Sequence, residues 1–218
     1  MIDLRKTLLT ASESLRNAGV SHALIGGFAM AIYGHHRATV DVDFLADGAK
    51  KELIKATLLK MGFNLKFESS EVLQFDGVGL LDILLANRPV SLEMLKEAKQ
   101  NSQIGVYVLR PEDIIGLKIQ AYKNDSTRTL KDQADIQMLL GSPTIDLKLV
   151  KRYADLFSEW PTIEKILELN RWLWKSIFNF LKITGRFLAL RPSRNRRLST
   201  LRSCSEFLKL QILTKNAF

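Results

Sequence analysis

Two short blocks constrain this chain more than any other part of its sequence. Residues 24–29 read LIGGFA, an apolar run that ends in two glycines, and residues 37–44 read RATVDVDF, an apolar run broken by two aspartates. Side chains two apart in a strand project from the same face, so Asp41 and Asp43 are expected to form a like-charged pair about 7 Å apart. Such a pair costs free energy unless a cation lies beside it, and a divalent metal carrying a phosphate is the expected ligand.

The glycine pair supports the same interpretation. Gly26 and Gly27 fall where a predicted strand passes into a predicted helix. Exposed backbone N–H groups at such a junction can hold phosphate oxygens, and only glycine allows the chain to approach them closely. The two residues are therefore candidate contacts for a triphosphate.

A third carboxylate interrupts another apolar run. Asp82 lies within residues 80–85, which read LLDILL, where an ionisable group needs a partner or a metal. Three carboxylates on neighbouring strands suit a two-metal site for in-line displacement at phosphorus, and Mg²⁺ prefers such ligands. Asp41 and Asp43 are the expected metal ligands, and Asp82 is either the third ligand or the base that deprotonates an acceptor hydroxyl.

The hydrophobic periodicity predicts an α+β fold, with a small mixed sheet flanked by helices and a helical C-terminal half. Strands are expected at residues 21–26, 40–45, 63–67, 71–75, 79–85 and 105–109. Helices are expected at residues 3–18, 27–33, 50–61, 91–100 (with Ser91 as N-cap), 129–140, 147–157 and 169–190, and from Pro111 onward. The expected domains are a core at 1–110, a helical subdomain completing the site at 111–168, and a tail at 169–218.

The excess positive charge lies in that tail. The net charge of the chain is +9, yet residues 169–218 hold 11 lysines and arginines against one acidic residue, Glu206, which leaves the remainder nearly neutral. The tail is predicted to be a basic amphipathic segment, either partly disordered or an aberrant extension. The chain is expected to be cytoplasmic and to have no transmembrane segment, because its start lacks a signal-peptide core and charges interrupt its apolar stretches.

With these motifs in place, residues 1–160 resemble the nucleotidyltransferase superfamily of the DNA polymerase beta type. The motifs PEDIIGLK at residues 111–118 and KDQADI at residues 131–136 are similar to those of AbiEii-type nucleotidyltransferases, which are toxins of type IV toxin–antitoxin and abortive-infection systems. The resemblance implies a Mg²⁺-dependent enzyme that moves a nucleoside monophosphate from an NTP to an acceptor hydroxyl. The implied acceptor is RNA, such as a tRNA 3′ end, or a protein, and a cognate antitoxin is an implied partner.

The resemblance also assigns roles to single residues. Gly26 and Gly27 would contact the nucleotide phosphates and Asp41 and Asp43 would bind Mg²⁺. The remaining residues implied in nucleotide binding or catalysis are Arg37, Lys118, Lys131, Asp132 and Asp135. Among these, Lys118 would reach the triphosphate, and Asp132 or Asp135 would complete the site near the acceptor.

Simpler interpretations stay open beside these roles. Lys118 would also be explained by a side chain reaching solvent from an amphipathic helix. The spacing of Lys131, Asp132 and Asp135 is equally that of exposed helical ion pairs. Two other functions remain alternatives, namely a catalytically silent nucleotide-binding or regulatory module, and a transferase acting on a small molecule such as an aminoglycoside.

Overall fold

The computed structural model describes residues 3–183, which form two units divided between Ile114 and Ile115. The helices of the described chain are α1 (Leu4–Asn17), α2 (Gly26–Ile32), α3 (Lys51–Lys60), α4 (Pro89–Lys96), α5 (Pro111–Asn124), α6 (Thr129–Leu140), α7 (Leu147–Asp155) and α8 (Trp160–Ile183). The strands are β1 (His22–Ile25), β2 (Val42–Asp47), β3 (Asn64–Glu68), β4 (Val72–Asp76), β5 (Leu81–Ala86), β6 (Lys99–Gln100) and β7 (Tyr107–Val108).

All seven strands belong to the first unit and form one mixed sheet in the order β3-β4-β5-β2-β1-β7-β6. Strand β2 lies near the middle, parallel to β5 and antiparallel to β1. Its Phe44, Leu45 and Ala46 are fully buried, as expected for a strand covered on both faces. The α+β prediction, with a mixed sheet followed by a helical half, is confirmed.

Local signals explain how the sheet is framed. Asp3 caps α1 by accepting a hydrogen bond from the Lys6 N–H, and Leu8, Ala11 and Leu15 bury one face of that helix. Gly19, at a φ of 74°, then turns the chain toward β1. The first two elements thus follow the sequence pattern closely.

Several predicted boundaries were wrong. The strand expected at 40–45 begins at Val42 instead, because Val40 is 68% exposed and precedes the ladder. Helix α4 begins at Pro89 with Arg88 as N-cap, since proline suits the first helical position, and the Ser91 hydroxyl accepts a hydrogen bond from the Arg88 N–H.

The end of the first unit also differs from the sequence-based expectation. Residues 99–100, expected to be helical, form β6, and the strand expected at 105–109 is reduced to Tyr107–Val108. Two-residue strands carry too little periodicity to be found by pattern alone.

The second unit is helical. Its buried apolar side chains come from every helix of the unit and include Ile119, Ile136, Val150, Tyr153 and Ile163. Helix α8 runs without a break through residue 169, where the tail was expected to begin, and most of that tail, residues 184–218, lies outside the described residues. No helix within residues 3–183 has the length and apolarity needed to cross a bilayer.

Candidate active site

Three aspartates of the first unit come together at the centre of the sheet. Asp43 lies in β2 and Asp82 in the parallel strand β5, where the two residues are register partners, and Asp41 is the second residue before Asp43. One carboxylate oxygen from each of the three lies within 4.8 Å of the other two. The structure thus brings together the three predicted metal ligands, and we call this group the carboxylate triad.

Each carboxylate of the triad accepts a hydrogen bond from a neutral donor. Asp43 accepts one from the backbone N–H of Gly27. Asp41 accepts one from the Thr39 hydroxyl at 2.7 Å, and Asp82 accepts one from the side-chain amide of Gln74 at 3.1 Å. Neutral donors orient the carboxylates and leave their negative charge uncancelled.

Two carboxylates of this group, Asp43 and Asp82, hold a proton more tightly than an ordinary aspartate does. Burial, reinforced by the charges of Asp41 and Asp82, raises the pKa of Asp43 to about 6. Burial also raises the pKa of Asp82, again with a contribution from Asp41. Acidic groups that repel one another in a partly buried position favour the binding of a cation between them.

The two glycines are explained by close contacts. Gly26 has a φ of 63°, and a Cβ atom there would lie 1.9 Å from Asp43 Oδ2. A Cβ atom on Gly27 would lie 2.7 Å from Thr39. Because β1 pairs with β2 so that Ile25 faces Asp43, the chain following β1 passes directly over the triad, and only glycine fits there.

Arg37 lies in the loop between α2 and β2. Its guanidinium contacts the backbone oxygen of Ala38, and its positive charge lowers the pKa of Asp43, against the larger effects of burial and like charges. Arg37, which is predicted to contact phosphate, therefore lies close enough to the triad to act on it electrostatically.

The remaining predicted residues fall in the second unit, where three of them form a buried cluster. Lys118 of α5 pairs with Asp132 of α6 at 3.0 Å and also with Asp135. Arg128 pairs with the other oxygen of Asp132, again at 3.0 Å. We call these four residues the lysine cluster.

This burial decides between the two interpretations of the second motif. Asp132 and Asp135 are 0% and 6% exposed, and Lys118 is 7% exposed. The alternatives of a lysine reaching solvent and of exposed ion pairs at Asp132 and Asp135 were wrong, because all three side chains turn inward. Lys131 is exposed, as that alternative expected for it.

Two residues that contact the predicted aspartates were not predicted from the sequence, namely Gln74 beside Asp82 and Arg128 beside Asp132. The signal for Gln74 was its place in a hairpin, since β4 and β5 pair so that Gln74 faces Asp82. The signal for Arg128 was its position four residues before Asp132, the spacing of a helical ion pair.

The donor set fits a divalent cation of the oxygen-binding class. Mg²⁺ binds through a small number of carboxylates and completes its shell with substrate phosphates and water. The described part of the chain offers one cluster of three or more such ligands, the triad itself. The residues present therefore suit the predicted metal.

Comparison with protein families gives a match over most of the chain. The model described as "Nucleotidyl transferase AbiEii toxin, Type IV TA system" matches residues 7–171. None of the curated proteins matches the chain by sequence.

Comparison with solved structures gives distant likenesses. The crystal structure of ANT(2″)-Ia in complex with adenylyl-2″-tobramycin is 16% identical, with a TM-score of 0.54 over 71% of this chain and 96% of that one. An antigenic nucleotidyltransferase-like protein from Paracoccidioides brasiliensis is 18% identical, with a TM-score of 0.46 over 76% and 92% of the two chains. The lincosamide antibiotic adenylyltransferase LnuA, with lincomycin bound, is 16% identical, with a TM-score of 0.43 over 62% and 94%. Because the sequence identities are this low, the likeness to ANT(2″)-Ia, whose TM-score is 0.54, supports the α+β fold of this chain alone.

Proposed function

The chain belongs to the AbiEii family of nucleotidyltransferase toxins, and from this premise we propose that it transfers a nucleoside monophosphate from an NTP to an acceptor hydroxyl with Mg²⁺ bound by Asp41, Asp43 and Asp82. The observation that carries the proposal is the convergence of three carboxylate oxygens within 4.8 Å. A group of this kind is costly to fold without a ligand and becomes favourable once a divalent cation binds.

In the proposed reaction the acceptor oxygen bonds to the α-phosphorus and the bond to the pyrophosphate leaving group breaks. Bound Mg²⁺ would neutralise phosphate charge and hold the reacting oxygens in line. Gly27 keeps Asp43 in place, and the missing side chain at Gly26 leaves room for that carboxylate. Asp82 is either the third metal ligand or the group that accepts the proton of the acceptor hydroxyl, and Arg37 would bind phosphate oxygens.

The lysine cluster of the second unit would act as one group. The family resemblance implies that Lys118 contacts the triphosphate and that Lys131 takes part in nucleotide binding. It also implies that Asp132 or Asp135 completes the site near the acceptor. Because Lys118 already bonds to both aspartates, a change in any of the three would alter the other two. We therefore expect nucleotide binding and acceptor use to change together in variants of this cluster.

For the acceptor, we propose an RNA 3′ end, such as that of a tRNA, or a protein hydroxyl, since the family is one of toxins. The second candidate is a small molecule, which is favoured by the likeness to a structure holding adenylyl-2″-tobramycin. A cognate antitoxin and a cytoplasmic location are further parts of the proposal.

The test is transfer of label from each α-³²P-labelled NTP, with Mg²⁺, to total RNA, to protein extract and to aminoglycosides. The wild-type chain should label one of these classes and release pyrophosphate. Replacing Asp41 and Asp43 together by asparagine should abolish labelling. The matched control is Asp76→Asn, on strand β4 of the same sheet, whose carboxylate pairs with Lys66 at 3.2 Å.

Two results would overturn the proposal. Full labelling by the Asp41→Asn, Asp43→Asn variant would remove the triad from the chemistry. Mg²⁺-dependent NTP binding with no pyrophosphate release under any acceptor would favour the silent nucleotide-binding module instead.

A further inference from the structure

Asp82 differs from the other two aspartates in how its carboxylate is held. Asp43 is held by the backbone of Gly27, and Asp41 by Thr39, which is two residues away in the same loop. Asp82 is held by Gln74, a side chain from another strand, whose amide donates to Asp82 Oδ2 at 3.1 Å. No family motif described above includes Gln74.

The sheet places Gln74 for this contact. Strands β4 and β5 pair antiparallel with Gln74 directly opposite Asp82, and directly opposed side chains share a face. The neighbours of Gln74, Leu73 and Phe75, are buried on the other face and fix the register, because a one-residue slip would expose them. The position of the amide is therefore set by the core of the first unit.

The chemistry of an amide suits this position better than that of other donors. A lysine or arginine would form an ion pair with Asp82 and compete with a metal for its charge. A leucine would leave the carboxylate without a fixed orientation. The glutamine amide fills one hydrogen-bonding position on Oδ2 and adds no net charge, so Asp82 keeps its full negative charge for a cation.

We propose that Gln74 is a positioning residue, which orients the Asp82 carboxylate for the divalent cation and so sets the metal affinity of the triad. The inference rests on the proposed function, since it takes the triad as the metal site. Partners that orient metal ligands typically change metal affinity about 10–100-fold when they are removed.

The experiment measures Mn²⁺ binding to the full chain without nucleotide, by loss of the free Mn²⁺ electron paramagnetic resonance signal. We expect Gln74→Leu to weaken Mn²⁺ binding about 10-fold. The Mg²⁺ concentration needed for half-maximal transfer should rise by a similar factor, while the rate at saturating Mg²⁺ stays within about 3-fold. A merely structural role would lower the rate and the melting temperature without moving the Mg²⁺ requirement.

Two further variants make the result specific. Gln100→Leu removes an exposed glutamine from strand β6, which forms an edge of the same sheet far from β4, and should leave Mn²⁺ binding unchanged. In an Asp82→Asn background Gln74→Leu should have no additional effect, because Gln74 acts through Asp82. If the leucine variant does not fold, Gln74→Met, which is unbranched and also lacks the donor, takes its place.

The outcomes separate this inference from the proposed function. Absence of Mn²⁺ binding by the wild-type chain would overturn both. Normal Mn²⁺ binding by Gln74→Leu, together with weakened binding by Asp82→Asn, would overturn the role of Gln74 alone. An equal effect of Gln74→Leu with and without Asp82 would show that the glutamine does not act through that carboxylate, and would also overturn it.

Discussion

Each unit of the chain holds a cluster of inward-facing charges, and the two clusters are built in opposite ways. In the lysine cluster, two buried aspartates meet Lys118 and Arg128, so that negative and positive charges are paired at about 3 Å. In the carboxylate triad, the hydrogen-bond partners are a backbone amide, a hydroxyl and a glutamine amide, none of which carries charge. The first cluster is electrostatically satisfied by its own side chains, whereas in the second burial and neighbouring negative charges raise the pKa of Asp43 and of Asp82.

This difference separates two reasons for burying an acid. A balanced cluster fixes the packing of helices and loses stability when one member is removed. A cluster of like charges destabilises the protein that carries it, and its retention is explained by a ligand that supplies the missing charge. Removing a charge should therefore lower the stability of the protein when the charge lies in the lysine cluster, and raise it when the charge lies in the carboxylate triad.

The largest expected effect is on catalysis. Asp43→Asn should lower nucleotide transfer about 1000-fold or more, because a neutral amide binds a divalent cation far more weakly than a carboxylate. The measurement is single-turnover label transfer at saturating Mg²⁺. Asp76→Asn, in the same sheet, should keep its rate, and a comparable loss in that control would contradict a specific role for the triad.

The next largest effect is on the stability of the second unit. Lys118→Met should cost about 3–5 kcal/mol of unfolding free energy, because it leaves two buried carboxylates without their shared cation. Urea unfolding followed by far-ultraviolet circular dichroism measures the loss. For comparison, Lys151→Met removes an exposed pair with Asp155 and should cost less than about 1 kcal/mol.

A double substitution sharpens this result. Adding Asp135→Asn to Lys118→Met should recover part of the lost stability, since it removes one of the two negative charges that Lys118 balances. If the double variant is less stable than Lys118→Met, the lysine cluster is not held together by charge balance.

The sequence predicted the triad better than it predicted the lysine cluster, for a physical reason. Aspartates inside apolar strand patterns are conspicuous, because strand periodicity fixes the side to which each residue points. Asp41 joined the triad even though β2 begins after it, since the residue preceding a strand already follows its direction. The neighbouring pair Asp43 and Asp82 depended on strand order, which a single sequence does not specify.

Helical charges gave a weaker signal. The spacing of Asp132 and Asp135 fits an exposed face as well as a buried one, and the outcome depends on which helix packs against them. The same limit applies to Gln74, because a glutamine in a strand gains meaning only from the residue opposite. The contacts between helices and between strands could therefore not be predicted from the periodicity of the sequence.

A third prediction concerns the glycine that passes over the triad. Gly26→Ala should cost about 2–3 kcal/mol, because it adds the strain of a positive φ to a clash with Asp43. Gly19→Ala is the matched control, since Gly19 has a φ of 74° but nothing within 4 Å of an added Cβ, and it should cost about 1 kcal/mol. Chemical denaturation of both variants measures the difference, and equal costs would contradict the close approach to Asp43.

The smallest expected effect is a gain in stability. In metal-free protein the pKa of Asp43 is about 6, above its ordinary value, so the folded state holds its proton more tightly than the unfolded state. This raised pKa costs stability most fully above pH 6, and the cost fades as pH falls toward 3, below the ordinary pKa, where both states are protonated. Asp43→Asn should therefore stabilise the chain by about 2–3 kcal/mol at pH 7.5 and by almost nothing near pH 3. Saturating Mg²⁺ should remove the gain at pH 7.5, because the cation then stabilises the wild-type carboxylate. Urea titrations at the two pH values, each with and without Mg²⁺, would detect this pattern, and a gain independent of pH would mean that packing, not charge, sets the cost of Asp43.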